Sequence, residues 1–168
     1  MGLAEPMLGE LELEGVATRK VLERMPDDKF DWAPHEKSMK LGKLALHVAD
    51  IPRWIAFIIE QDELDIGNQP PLSPATKAAE LVAYFDEQMA AAKTALQNTN
   101  DDALQKNWMM KMGDVVLIDS PKVEVIRRWA LNHIVHHRAQ LTVYLRLNDV
   151  AVPAVYGSSA DENELGAT

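Results

Sequence analysis

The 168-residue chain predicts an all-α four-helix bundle whose long crossover carries a short β-hairpin before the last helix. Three observations lead there. Apolar residues recur at three- and four-residue spacing in four separate stretches. Breaks rich in Pro, Gly, Asn or Asp divide those stretches. The longest gap, before the fourth stretch, holds β-prone runs on both sides of Met112-Gly113-Asp114. No internal repeat or low-complexity block intervenes, so residues 1–168 read as one domain, with 149–168 an irregular tail that packs loosely or frays.

The first helix spans about Pro6 to Met25, with Leu8, Leu11, Leu22 and Met25 on one stripe and the small residues Gly15 and Thr18 in its middle. It stops at Pro26 and the acidic pair that follows. The second runs from about Ser38 to Gln61 and aligns Leu44, His47, Ile51, Ile55 and Ile58. Pro52 lies inside it, removes one backbone hydrogen bond and predicts a kink rather than a stop. Gly67 to Pro74 read as a loop. The third helix, about Pro74 to Gln97, turns Leu81, Phe85, Ala92 and Leu96 inward, and an alanine-rich run supports it. The fourth starts with Ser120 as N-cap and Pro121 at the first helical position, and continues to Leu147, roughly 40 Å.

Composition removes several classes of function. The net charge of −9 repels nucleic acid and anionic membrane alike, so neither is expected as a partner. There is no cysteine, hence no disulfide, thiolate ligand or cysteine nucleophile. The N-terminus lacks a basic region followed by an apolar core, and no apolar run approaches a membrane span, so a cytoplasmic location is expected.

Histidine is an unusual residue for a bundle core. Yet three of the five in this chain lie in "LNHIVHHRAQLTVYLR", Leu131 to Arg146. The fourth-helix seam reads Ile126, Ala130, His133, His137, Gln140, Tyr144 and Leu147, alternating by four and three. His133 and His137 are one turn apart on that seam, a spacing that lets two imidazoles reach one ion. His47 holds the matching stripe of the second helix. Three neutral imidazoles would leave a divalent ion with open positions and its full charge, able to acidify a water or hold a thiolate. The plainer reading packs each histidine in the core with a hydrogen-bond partner, and spacing alone does not separate the two. A zincin helix needs Glu after the first histidine, where Ile134 stands. A di-iron bundle needs Glu three residues before a histidine, where Leu44, Ala130 and Ile134 stand.

"LNHIVHHRAQLTVYLR" resembles the H-x-x-x-H-R-x-Q-L signature of the DinB/YfiT-like superfamily. "WAPHEKSMKLGKLALHVAD" and "VPAVYGSSADE" resemble its earlier block and its ending, so the likeness runs from Trp32 to Glu162. Ala139 replaces a common glycine and Ser158 a common proline. The resemblance implies a four-helix bundle binding a divalent metal, nickel or zinc, through His47, His133 and His137. It also implies homodimers. Leu131, Ile134, Leu141 and Leu145 form a second apolar stripe, to be buried either within the chain or against a second copy. Characterised branches resemble metal-dependent thiol S-transferases and thiol-dependent isomerases, which implies a low-molecular-weight thiol as co-substrate beside a small-molecule substrate. A noncatalytic interaction bundle with structural histidines and a metal-dependent hydrolase are the alternatives.

Other residues carry weaker expectations. Gln140, Tyr144 and Arg138 are the candidate catalytic residues, Gln140 and Tyr144 because they share the histidine seam. Both also suit buried polar roles with local partners. Arg138 binds an anionic group or, the favoured reading, pairs with an internal carboxylate. Asp50 orients an imidazole or, more simply, is a helix-surface charge. Trp32, Trp54 and Trp129 line a pocket or pack. His35 and His136 have no support as ligands.

Overall fold

A computed structural model describes residues 2–69, 71–72 and 74–163, and it is mostly helical with one small sheet. Pro70 and Ser73 of the expected 67–74 loop, and residues 164–168 of the expected tail, lie outside the described residues. The order is α1 (Ala4–Leu22), a 3-10 turn (Asp27–Lys29), α2 (Leu41–Asp50), α3 (Arg53–Glu60), β1 (Glu63–Asp65), a second 3-10 turn (Ile66–Asn68) and α4 (Ala78–Asn98). Then come α5 (Asp101–Gln105), β2 (Asn107–Met112), β3 (Val115–Pro121), α6 (Lys122–Ile126), a π-helical turn (Arg127–Leu131) and α7 (Asn132–Leu147). Among the described residues there are thus more helical segments than the four expected. Two of the expected helices are interrupted, and α5, capped by the Asn100 side chain on the Ala103 N–H at 2.9 Å, is additional.

The first interruption is at Ile51-Pro52. Both residues keep right-handed helical dihedrals, and Trp54 and Ile55 bond back only three residues, to Ile51 and Pro52, at 3.1 and 3.0 Å. Proline has no N–H to donate, so the ladder tightens there and the chain turns without leaving the helix.

The second interruption changes which side chains face the core. In the π turn the Asn132 N–H reaches the Arg127 carbonyl, five residues back, which inserts one residue into the helical repeat. Upstream, Ile126 and Ala130 are buried, as the seam predicts. Downstream, Leu131, Ile134, Arg138, Leu141 and Leu145 are buried, one position later than a uniform helix places them, and of the predicted seam only Tyr144 stays buried there. Leu147, expected on the seam, is 56% exposed, and Gln140 is exposed. Of the two readings for the second apolar stripe, burial within the chain is the one the structure shows for Leu131, Ile134, Leu141 and Leu145.

Helix α7 packs on α1 and α2, while α4 packs on α1, α2 and α3, around a core that includes Leu11, Leu22, Leu44, Ile55, Phe85 and Trp108. Gly42 permits one close approach, since a Cβ there would lie 2.8 Å from the Phe30 ring. The segment before α2 is held against that helix as a result.

The strands on either side of Gly113 pair antiparallel, Met112 opposite Val115, with Gly113 at φ +59 in the first turn position. β1 adds in parallel on the far side of β2, giving the order β1-β2-β3. Ser120 pairs with Trp108 in this sheet and is not an N-cap, and Pro121 ends the strand rather than starting the helix. The junction is held by Lys122, 4% exposed, which donates to the Ile59 and Gln61 carbonyls and to Asp62 at the C-terminal end of α3.

The tail does not fray over its described length. Asp161 accepts from the Val152 N–H and Glu162 from the Ala154 N–H, each at 2.8 Å, and the two carboxylates pair with Arg146 and Arg24. Those contacts hold both carboxyls below the usual range. Among the described residues, no helix is long and apolar enough to cross a membrane.

Candidate metal centre

Helix α2 presents His47 toward α7, and the two helices are packed neighbours, a relation the sequence leaves open. Ring centroids lie 5.0 Å apart for His47 and His133, 4.7 Å for His47 and His137, and 4.6 Å for His133 and His137. One nitrogen from each ring lies within 4.8 Å of the other two. The π turn has moved His133 and His137 off the centre of the core stripe to its edge. All three rings are half-buried, at a rim where an ion can still be approached from outside.

The orientation of the rings fits ligation. The His133 Nδ1–H donates to the Trp129 carbonyl at 3.3 Å, and the His137 Nδ1–H donates to Gln140 Oε1 at 2.7 Å. Those tautomers leave the Nε2 lone pair of each ring free. His47 Nε2 and His133 Nε2 are 3.3 Å apart. Two nitrogens about 2.0–2.1 Å from a tetrahedral ion would be separated by about 3.3–3.4 Å. The donor set therefore suits a divalent cation that accepts imidazole. Among the described residues no carboxylate joins the cluster, so three protein ligands would leave coordination positions open.

Electrostatics favour the same state. The pKa of His47 falls from 6.5 to about 4, first through burial and then through the neighbouring His133 and His137. Burial, and then His137, also lower His133. Both rings are neutral at pH 7 and need lose no proton to ligate. The metal-free protein should accordingly lose stability on mild acidification. An unfolded His47 takes up its proton near pH 6.5, whereas the folded one resists until about pH 4. The unfolded state then binds more protons across that interval, and folding stability drops as pH falls through it. Thermal midpoints between pH 7 and 5 check this, and His47→Gln should flatten the profile. An unchanged slope in that variant would refute the assignment.

The remaining sequence candidates separate clearly. Gln140 is exposed and touches His137 directly, while its Nε2 donates to His136 Nε2 at 3.2 Å. Its position is that of an outer partner which fixes the His137 ring. Gln140→Leu is expected to weaken metal binding by about 10- to 100-fold with unchanged stoichiometry. Competition against a chromogenic chelator measures this, and an unchanged affinity would contradict it.

Tyr144 is 9% exposed. Its hydroxyl donates to the Met39 carbonyl at 3.2 Å and its ring stands edge-on to Trp32 at 5.5 Å, a packing role. Arg138 is 2% exposed and pairs with Glu14 at 2.6 Å, the internal carboxylate expected of it. Its guanidinium also donates to Thr18 and Tyr156, so it serves the core rather than the histidine rim. Asp50 is not a surface charge. It is 5% exposed, accepts from the Tyr84 hydroxyl at 2.6 Å and pairs with Arg53 at 2.7 Å. Burial and that carboxylate raise the Tyr84 pKa. Its partners come from α4 and from the turn after Pro52, which helix periodicity alone does not reveal.

Trp129 stands edge-on to His133 at 6.2 Å, whereas Trp54 is half-buried against the core. The His35 ring is exposed and accepts from the Lys37 N–H, and His136 is exposed beside His137.

A mostly helical chain with a small sheet and a three-histidine rim between two helices defines a class of helical proteins able to hold a metal ion. Within that class the chain belongs to the DinB family, whose model matches residues 4–165. It is 24% identical over 160 residues to the Bacillus subtilis (strain 168) protein YrdA, covering 90% of this chain and 86% of that one. Its fold is similar to that of a DinB-like protein from Bacillus cereus ATCC 10987, with a TM-score of 0.69 at 22% identity. The DinB-like protein YjoA of Bacillus subtilis gives a TM-score of 0.70 at 16% identity. Each of those two alignments covers 90% of this chain and 97% of the solved one.

Proposed function

We propose that His47, His133 and His137 hold a divalent ion, zinc or nickel, and that the protein is a metal-dependent thiol S-transferase or thiol-dependent isomerase. The observation that carries this reading is the convergence of three imidazoles at a half-buried rim, with no carboxylate in the cluster among the described residues. When bound, the ion would supply Lewis acidity to a thiol or to the substrate's electrophilic centre. The chain has no cysteine, so the sulfur nucleophile comes from a low-molecular-weight co-substrate. Neutral ligands leave the ion's charge uncompensated, which favours an anionic sulfur there.

The residues around the ligands do the positioning. Gln140 holds the His137 ring through Nδ1, and the Trp129 carbonyl holds His133 in the same way. The Trp129 indole, edge-on to His133, shields one side of the rim from water. A small-molecule substrate then approaches along the face shared by Trp129 of the π turn and the histidines of α7.

The test is turnover by protein purified without a histidine tag and loaded with one metal at a time. Low-molecular-weight thiols are screened against electrophiles. Turnover that requires both metal and thiol supports the reading. Turnover with metal but without thiol replaces it with a hydrolase.

A further inference from the structure

Beside the histidine rim, a cavity of about 300 Å³ opens between β3 and the π turn. Its walls include Ile118, Val125 and Trp129, and its charged groups are Asp119, Glu124 and Arg128. Trp129 is shared, because the indole that lines the cavity is also the ring edge-on to His133 at 6.2 Å.

The charges in this cavity are arranged unusually. Glu124 and Arg128 are four residues apart, the spacing at which opposite charges pair on a regular helix. Here the π turn intervenes, and the Arg128 guanidinium lies over the Trp129 ring at 5.5 Å instead. Among the described residues neither Glu124 nor Arg128 has an ion-pair partner. Asp119 is engaged by the Asn107 side-chain amide at 2.9 Å. The cavity lining thus offers a carboxylate without an ion-pair partner and a guanidinium lying over an aromatic ring.

Resting on the metal-centre reading above, we propose that this cavity holds the α-amino-acid end of the small molecule that reaches the histidines. The ligand carboxylate lies against Arg128 and its ammonium against Glu124. A ligand of one sign would leave one of these groups unmatched, whereas a zwitterion answers both. The apolar side chains in the lining, Ile118, Val125 and Trp129, suit a short aliphatic stem that leads from the zwitterion past Trp129 to the rim.

The probe is S-methyl-L-cysteine, titrated into the full-length protein while the Trp129 indole and Arg128 signals are followed by 1H–15N NMR. Its N-acetyl derivative lacks the ammonium and S-methylcysteamine lacks the carboxylate. Each is expected to bind about three- to ten-fold more weakly than the parent. In Arg128→Gln the parent and S-methylcysteamine should bind alike, and in Glu124→Gln the parent and the N-acetyl derivative should bind alike. Both residues are exposed, so the variants should fold normally. Equal binding of the three probes to the unaltered protein, wild-type affinity in both variants, or no perturbation at Trp129 would overturn the proposal. Repeating the titration on His47→Ala keeps the two readings apart. Metal uptake that survives in His47→Ala counts against the metal centre alone, and lost charge discrimination counts against this cavity alone.

Discussion

Replacing His47 or His137 by alanine is expected to abolish stoichiometric binding of zinc or nickel, with affinity falling by more than the roughly 100-fold that bounds loss of an outer partner. The rings sit with their centroids 4.7 Å apart on different helices, so neither can substitute for the other. An ion that binds only the folded chain stabilises it by about 2.7 kcal/mol when present at a hundred times its dissociation constant. For a chain of this length that amounts to a rise in thermal midpoint of about 5–10 °C. The rise should vanish in both variants and persist in His35→Ala, whose exposed ring accepts from the Lys37 N–H outside the cluster. Elemental analysis and thermal scans together decide the matter. Stoichiometric metal retained in both variants would refute the ligand assignment.

Arg138→Met should cost about 3–5 kcal/mol of folding stability. The guanidinium is 2% exposed and lies 2.6 Å from the Glu14 carboxylate, which also accepts from the Tyr156 hydroxyl at 2.5 Å. Methionine fills similar space but strands that carboxylate in a buried site without its cation. The thermal midpoint should drop by about 10 °C. Adding Glu14→Gln to Arg138→Met should recover part of the loss, because a pair removed together leaves no orphaned charge. Urea unfolding measures both steps. A single variant within about 1 kcal/mol of the parent would show that the pair is not the constraint described.

The sequence carried most of the candidate site and less of its setting. His47, His133 and His137 were legible because spacing on each helix is a local property. Their meeting depends on α2 lying against α7, which only the family resemblance implied. The π turn was invisible, because an inserted residue changes backbone hydrogen bonding without leaving a residue-type signature. That single insertion accounts for the misplacement of Gln140 and Leu147 on the core seam and for the true core roles of Ile134, Arg138 and Leu141. Ser120 carried a sound capping signal, which strand pairing with Trp108 overrode. Asp50 read as a surface charge because Tyr84, which buries it, lies on a helix remote in sequence. Gln140 was noticed for its place on the seam, and the contact it makes is to the His137 ring.

The π turn also bears on how such a chain can change over generations. The segment before Arg127 packs with the sheet and α3, and the segment after Leu131 packs with α1 and α2. In a helix of even pitch, a residue gained or lost on one side would rotate everything on the other. Here the discontinuity absorbs that rotation. Substitutions can then redraw the sheet-side wall, where Arg128 and Glu124 stand, while the three histidines keep their placement on α2 and α7.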